Sequence, residues 1–249
     1  MMVVMDTLIA ASFFLALFEG MRAFLVRFRG YSDQKALPFC SRFVATVHSL
    51  IVGVIASYDV FLEPHYEMAG TPHFLAVQSA GAYLAYPTCC AYLLYDLYPQ
   101  LYHKATIGGS LEMVIHHLLG IPGLIYAMHS GVCGFWVSQM LCFEISTPFL
   151  HALWFLPLFG VPHHSLGFKL AGAGFVISFF VFRVLGSLFI LFSVFSYSQE
   201  IKALGGIAWL FASWTTAAYT ILNLNWFYRV LVELTKFTKA PSAIQVAGG

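Results

Sequence analysis

Residues 110–156 read SLEMVIHHLLGIPGLIYAMHSGVCGFWVSQMLCFEISTPFLHALWFL. Two apolar runs, 111–128 and 134–156, are separated by a few small residues, and each is close to the roughly 20 residues an α-helix needs to cross a hydrocarbon core. His116, His117, Glu144 and His151 stand inside them among apolar neighbours. The stretch reads as two membrane-spanning helices that carry polar groups, and the remaining chain is organised in the same way.

Five further runs of this kind lie at 3–21, 43–62, 74–97, 170–195 and 206–230, so the expected fold is an all-α polytopic membrane protein with about seven transmembrane helices. Composition agrees: of 249 residues 60% are hydrophobic and 9% charged, whereas a soluble domain carries about 25% charged residues. A net charge of +1 supplies no basic field for nucleic acid, which is excluded as a partner. Cys89, Cys90 and Cys142 fall inside apolar runs and Cys40 and Cys133 flank different ones, without the spacing of a disulfide framework or a zinc site, so neither a structural metal nor another resident cofactor is expected. Every lysine is in a loop or tail, which excludes a retinal Schiff base. The four histidines that share one level, described below, do not suit a two-haem cytochrome.

The first run carries Asp6 and no preceding basic residue, and it is expected to be a retained span rather than a signal peptide. The chain divides into residues 1–42 (first helix and basic loop), a six-helix membrane domain at 43–235, and a short tail at 236–249. Alternating the loops places Arg22, Arg27, Arg29, Lys35, Arg42, Lys104, Lys169, Arg229, Lys236 and Lys239 on one side and only Lys202 on the other. The positive-inside rule then puts the C-terminus in the cytosol and the N-terminus in a lumen or outside. The acidic loop 58–72, with Asp59, Glu63 and Glu67, falls on the lumenal side.

Ionisable groups inside a bilayer are expensive and tend to face a bundle interior or one another. Counting about 1.5 Å per residue from the cytosolic boundaries sets His48, His116, His117 and His151 roughly 8 Å deep, Asn223 slightly deeper, and Glu144 with Arg183 near mid-membrane. Helical spacing adds Glu112 to the face of His116, and it puts Tyr219 and Asn223 on one stripe of the last span. Glu144 and Arg183 suit either a buried ion pair that fixes packing or a headgroup contact. The His level suits hydrogen-bonded structure, a catalytic site, or a three-histidine metal set of His48, His116 and His151.

The quoted stretch resembles the TLC-domain family, the membrane proteins that include the ceramide synthases. The marks are the His116-His117 pair, the Glu144 to Leu150 segment followed by Trp154-Phe155-Leu156, and the preceding span ending in Tyr95-Asp96-Leu97. Ceramide synthases carry a second motif, His-Asp-x-x-Asp. Where it would fall, this chain has Glu144-Ile145-Ser146-Thr147, and it is similar instead to the small orphan branch. The resemblance implies a helical barrel around an acyl-chain pocket, residence in the endoplasmic reticulum or a related membrane, and a role in lipid homeostasis. The implied partner is a membrane lipid or fatty acyl chain, with His48, Glu112, His151, Arg183, Tyr219 and Asn223 as contacts. The alternative is an acyltransferase with acyl-CoA as co-substrate, His116 or His117 as base or acyl acceptor, and Glu112 or Glu144 orienting the ring. Gly172 and Gly174 permit close helix contact, which is compatible with a homodimer or with packing inside one copy.

Overall fold

Within hydrocarbon every backbone N–H and C=O has to be satisfied inside the protein, which leaves helices or closed barrels as spanning structures. The computed structural model of the chain describes residues 2–62 and 81–239, and every regular element among them is helical. In order these are α1 (Met2–Arg29), α2 (Asp33–Phe61), α3 (Ala82–Tyr102), α4 (Lys104–Ile107), α5 (Leu111–Ser130), α6 (Gly134–Leu141), α7 (Thr147–Leu158), α8 (Leu166–Ser178), α9 (Gly186–Ser196), α10 (Ser198–Ala203) and α11 (Gly206–Lys239). A 3-10 stretch, Cys142–Ser146, joins α6 to α7, and a π stretch, Phe179–Leu185, joins α8 to α9, so each pair forms one long rod.

Among the described residues, five helical segments are long and apolar enough to cross a membrane: Val4–Arg29, Asp33–Phe61, Leu111–Ser130, Gly134–Leu158 and Leu166–Ser196. The third and seventh expected spans also contain long helices, α3 and α11, but Asp96 and Gln100 in one and Asn223, Asn225 and Arg229 in the other make them more polar. Residues 74–80 of the third expected span, part of the acidic loop 58–72, and the last residues of the tail lie outside the described residues.

Neighbouring rods follow from their apolar faces. On α1, Leu8, Ile9 and Phe13 are exposed as lipid-facing residues should be, while Phe14 and Phe18, one turn apart, are buried against Tyr92 and Tyr95 of α3. Around the rest of the molecule α2 packs on α3, α3 on α5, α5 on α11, α11 on α9 and the π stretch, α8 on α7, and α7 with its 3-10 stretch back on α2. Gly172 and Gly174 are spent on an internal contact: side chains there would meet Leu153 and the Phe149 ring of α7. Helix ends are set by ordinary signals. Ser110 Oγ accepts the Met113 N–H at 3.2 Å to start α5, and Gly131, at φ 69, takes the left-handed conformation that ends it.

Candidate functional site

Between the rods lie two chambers. The larger, about 680 Å³, reaches the end of the molecule that carries Arg42 and Arg229, and Asp96, His117, His151 and Arg183 line it. The smaller, about 110 Å³, lies toward the opposite end among Leu124, Tyr126, Trp136, Phe211 and Ala212. Leu93, His116 and Glu144 line both. Of the polar groups singled out in the sequence, His116, His117, Glu144, His151 and Arg183 line these chambers, whose walls are otherwise mainly apolar.

The deepest polar cluster exists because both rods depart from α geometry there. Pro148 has no N–H to offer the Glu144 carbonyl four residues earlier, and the chain tightens into the 3-10 stretch, where the Thr147 N–H takes that carbonyl instead. This leaves the Phe143 carbonyl turned toward Arg183, whose Nε donates to it at 2.9 Å and to Ser146 Oγ at 2.9 Å. Arg183 Nη2 donates to Thr147 Oγ1 at 3.3 Å and lies 3.4 Å from Glu144 Oε1, while Thr147 Oγ1 donates to Glu144 Oε2 at 3.0 Å. The backbone carbonyl of Arg183, in the π stretch, accepts from Asn223 Nδ2 at 3.3 Å. Glu144 and Arg183 thus form the expected buried pair. Glu144 also borders both chambers and Arg183 the larger one, so packing and ligand contact are both open to them.

One turn nearer the basic end stands the His pair, divided between two jobs. His117 is buried. Its Nδ1 lies 2.6 Å from the Met113 carbonyl and its Nε2 3.0 Å from Asp96 Oδ2, so both ring nitrogens face acceptors. Gln100 Nε2 donates to the same Asp96 oxygen at 3.1 Å. His116 projects to the junction instead. Its ring meets the edges of Tyr219 (centroids 4.9 Å) and Trp226 (5.6 Å), and its Nδ1 has no hydrogen-bond partner. Tyr219 Oη donates to the His116 carbonyl at 3.0 Å, fastening α11 to α5 beside Gly120, where an added Cβ would press on the Tyr219 hydroxyl and the end of Leu93.

The other expected residues fall in different places. His151 lines the larger chamber, with Nδ1 2.8 Å from Thr46 Oγ1. His48 lies at the expected level but not on a chamber wall: it is buried behind Tyr92, ring on ring at 3.8 Å, with Phe14 on another side. Asn223 is fully buried and serves the π stretch. Glu112 is taken by α11, accepting from Trp226 Nε1 at 3.2 Å, from Asn225 Nδ2 at 3.4 Å and from both terminal nitrogens of Arg229. The carboxylate that meets the His pair is Asp96, not Glu112 or Glu144. Among the described residues no three His, Cys, Asp or Glu side chains converge as metal ligands, and the set His48, His116, His151 is divided among three environments.

Sequence reasoning met Asp96 and Trp154 only as marks of the resemblance and Arg42 only among the basic loop residues, and it gave neither these nor Tyr92 a place in the site, although an aspartate inside an apolar helix was itself a signal. What the arrangement can do chemically is hold an amphiphile: apolar walls for a chain, and an uncommitted imidazole nitrogen and an ion pair where the chain meets its polar end.

Residues 38–232 match the TLC domain. TLC domain-containing protein 4-A of Xenopus laevis is 30% identical over 224 residues, covering 86% of this chain and 81% of that protein. TLC domain-containing protein 4-B of Danio rerio is 28% identical over 198 residues, with 76% and 71% covered. TLC domain-containing protein 4 of Homo sapiens is 26% identical over 212 residues, with 82% and 76% covered.

Proposed function

The chain belongs to the TLC-domain family, and from that premise we propose that it binds an acyl lipid among its helices and serves membrane lipid homeostasis. In this reading seven rods cross the bilayer. α2, α3, α5, the α6–α7 rod, the α8–α9 rod and α11 close a barrel around the two chambers, and α1 stands outside on α2 and α3. The observation that carries the reading is the junction at Leu93, His116 and Glu144, where two chambers with mainly apolar walls meet beside polar side chains. The chain of a lipid lies along the apolar walls that run through both chambers, and its carbonyl or headgroup meets His116, Glu144 and Arg183. The basic end faces the cytosol, with the N-terminus lumenal, in the endoplasmic reticulum or a related endomembrane.

Lipid extraction of the purified protein followed by mass spectrometry tests this. The expected result is a near-stoichiometric acyl lipid that survives size exclusion and is depleted in Gly120→Ala, whose added Cβ would lie 2.7 Å from Tyr219 Oη and 2.8 Å from Leu93 Cδ1 and so narrows the junction. A protein that elutes folded and lipid-free would overturn the reading.

The unpartnered His116 Nδ1 at the junction favours a second reading, an acyl-CoA-dependent acyltransferase. His116 takes a proton from an attacking hydroxyl or amine, the attacking atom bonds to the thioester carbon, the carbon–sulfur bond breaks, and the thiolate leaves with that proton. His117, braced by Asp96, positions its neighbour. Incubation with a long-chain acyl-CoA and an amine or alcohol acceptor decides between the readings: thioester consumption that disappears in His116→Ala makes the protein an enzyme, and an unconsumed thioester leaves the binding role.

A further inference from the structure

Three arginines line the larger chamber, and they are not equivalent. Arg183 is held by Glu144, and Arg229 by Glu112, so each has its counter-charge beside it. Arg42, in the third turn of α2, meets no carboxylate among the described residues. Its guanidinium lies over the Trp154 ring, with Cζ 4.4 Å from the centroid, and its Nη1 donates to the Pro38 carbonyl at 3.2 Å. This stack holds the group on the chamber wall, where a long side chain at an interface would ordinarily reach outward to water. With one face on the indole, the remaining N–H groups point out along the edge of the guanidinium plane, the geometry that accepts a forked oxyanion.

The neighbours of Arg42 on that wall leave it as the local positive charge. His151 has its Nδ1 engaged with Thr46, and Ser41 is neutral. The remaining lining charges are Asp96, beside His117, and Glu233 on α11, the helix that also carries Arg229. A half-buried cation without a carboxylate is stabilised when an anion arrives. At about 680 Å³ the chamber has room for a headgroup between the junction and Arg42, more than a bare fatty carboxylate requires.

We propose that Arg42, stacked on Trp154, is the docking point for a phosphate on the ligand of the larger chamber, so that the protein selects phosphate-bearing acyl compounds over neutral ones. The proposal rests on the lipid-binding reading above. The phosphate belongs either to a phospholipid headgroup or to a nucleotide-type acyl carrier, and one experiment separates them.

Binding of three probes that share an oleoyl chain is measured on the full-length protein in neutral detergent: oleoyl lysophosphatidic acid, oleoyl-CoA and monooleoylglycerol. At least one phosphate probe is expected to bind about tenfold more tightly than monooleoylglycerol, as a charge-assisted contact implies, and the preference falls at high salt. Arg42→Gln abolishes the preference and leaves monooleoylglycerol affinity unchanged. A preference confined to lysophosphatidic acid identifies a lipid headgroup, one confined to oleoyl-CoA identifies the carrier, and one for both identifies phosphate recognition irrespective of source. Equal wild-type binding of all three probes overturns the proposal alone, without need of the variant, as does a preference that survives in Arg42→Gln. Failure of every probe to bind, monooleoylglycerol included, overturns the lipid-binding reading and the proposal with it.

Discussion

Asp96 and His117 each have 2% exposure, and neither would be tolerated there without the other. Removing one partner of a buried pair strands the second, at a cost of about 3–5 kcal/mol. Asp96→Asn and His117→Gln should each lower thermal stability in detergent by an amount of that order, and the double variant should lose less than the sum by about 1–3 kcal/mol. Additive losses would mean that the two side chains do not interact. The polar residues themselves were conspicuous in the sequence, because any charge inside an apolar run is. Their partners were less so, since counting residues along straight helices gives depth but not the direction in which a side chain turns. His48 illustrates the limit: it shares the level of His117, yet Tyr92 stands between it and the chamber. Asp96 illustrates the converse, a lone acid whose role became visible only when α3 was laid against α5.

The helices divide into those whose ends the sequence marked and those it did not. α5 begins and ends within two residues of the expected run because Ser110 and Gly131 punctuate it. By contrast α1 continues to Arg29 and α2 starts at Asp33, well outside the runs 3–21 and 43–62, because a hydrogen-bonded ladder does not stop where side chains turn polar. The short α4 and α10 carry too few residues to establish a period. Pro148 was a visible cause of the 3-10 stretch, whereas the π stretch has no comparable mark. These breaks set an order of sensitivities. Ser146→Ala and Thr147→Val each remove one partner of the buried Arg183 guanidinium and should cost about 1–3 kcal/mol. Glu112→Gln, at the more exposed junction with Arg229, should cost no more than about 1 kcal/mol. Thermal unfolding of the three variants side by side checks this ranking, and a larger loss for Glu112→Gln would contradict it.

For the whole molecule, Arg42 and Arg229 stand at the end that the larger chamber reaches. The proposed orientation therefore predicts that a membrane-impermeant maleimide labels Lys169→Cys and Lys236→Cys in sealed microsomes, and Lys202→Cys only after the vesicles are opened. The inverse pattern would turn the protein over. A different consequence belongs to the π stretch. Such a turn takes up one residue more than an α turn over a similar rise, so everything beyond it is out of phase with everything before by about 100°. The face that α9 gives to α11 is thus one that an uninterrupted α8 would have aimed elsewhere. Deleting a single residue there, such as the lipid-exposed Phe180, should let the rod close as a regular helix while misaligning all that follows. Far-ultraviolet dichroism would hardly change, but cooperative melting would collapse: a frameshift written in rotation rather than in codons.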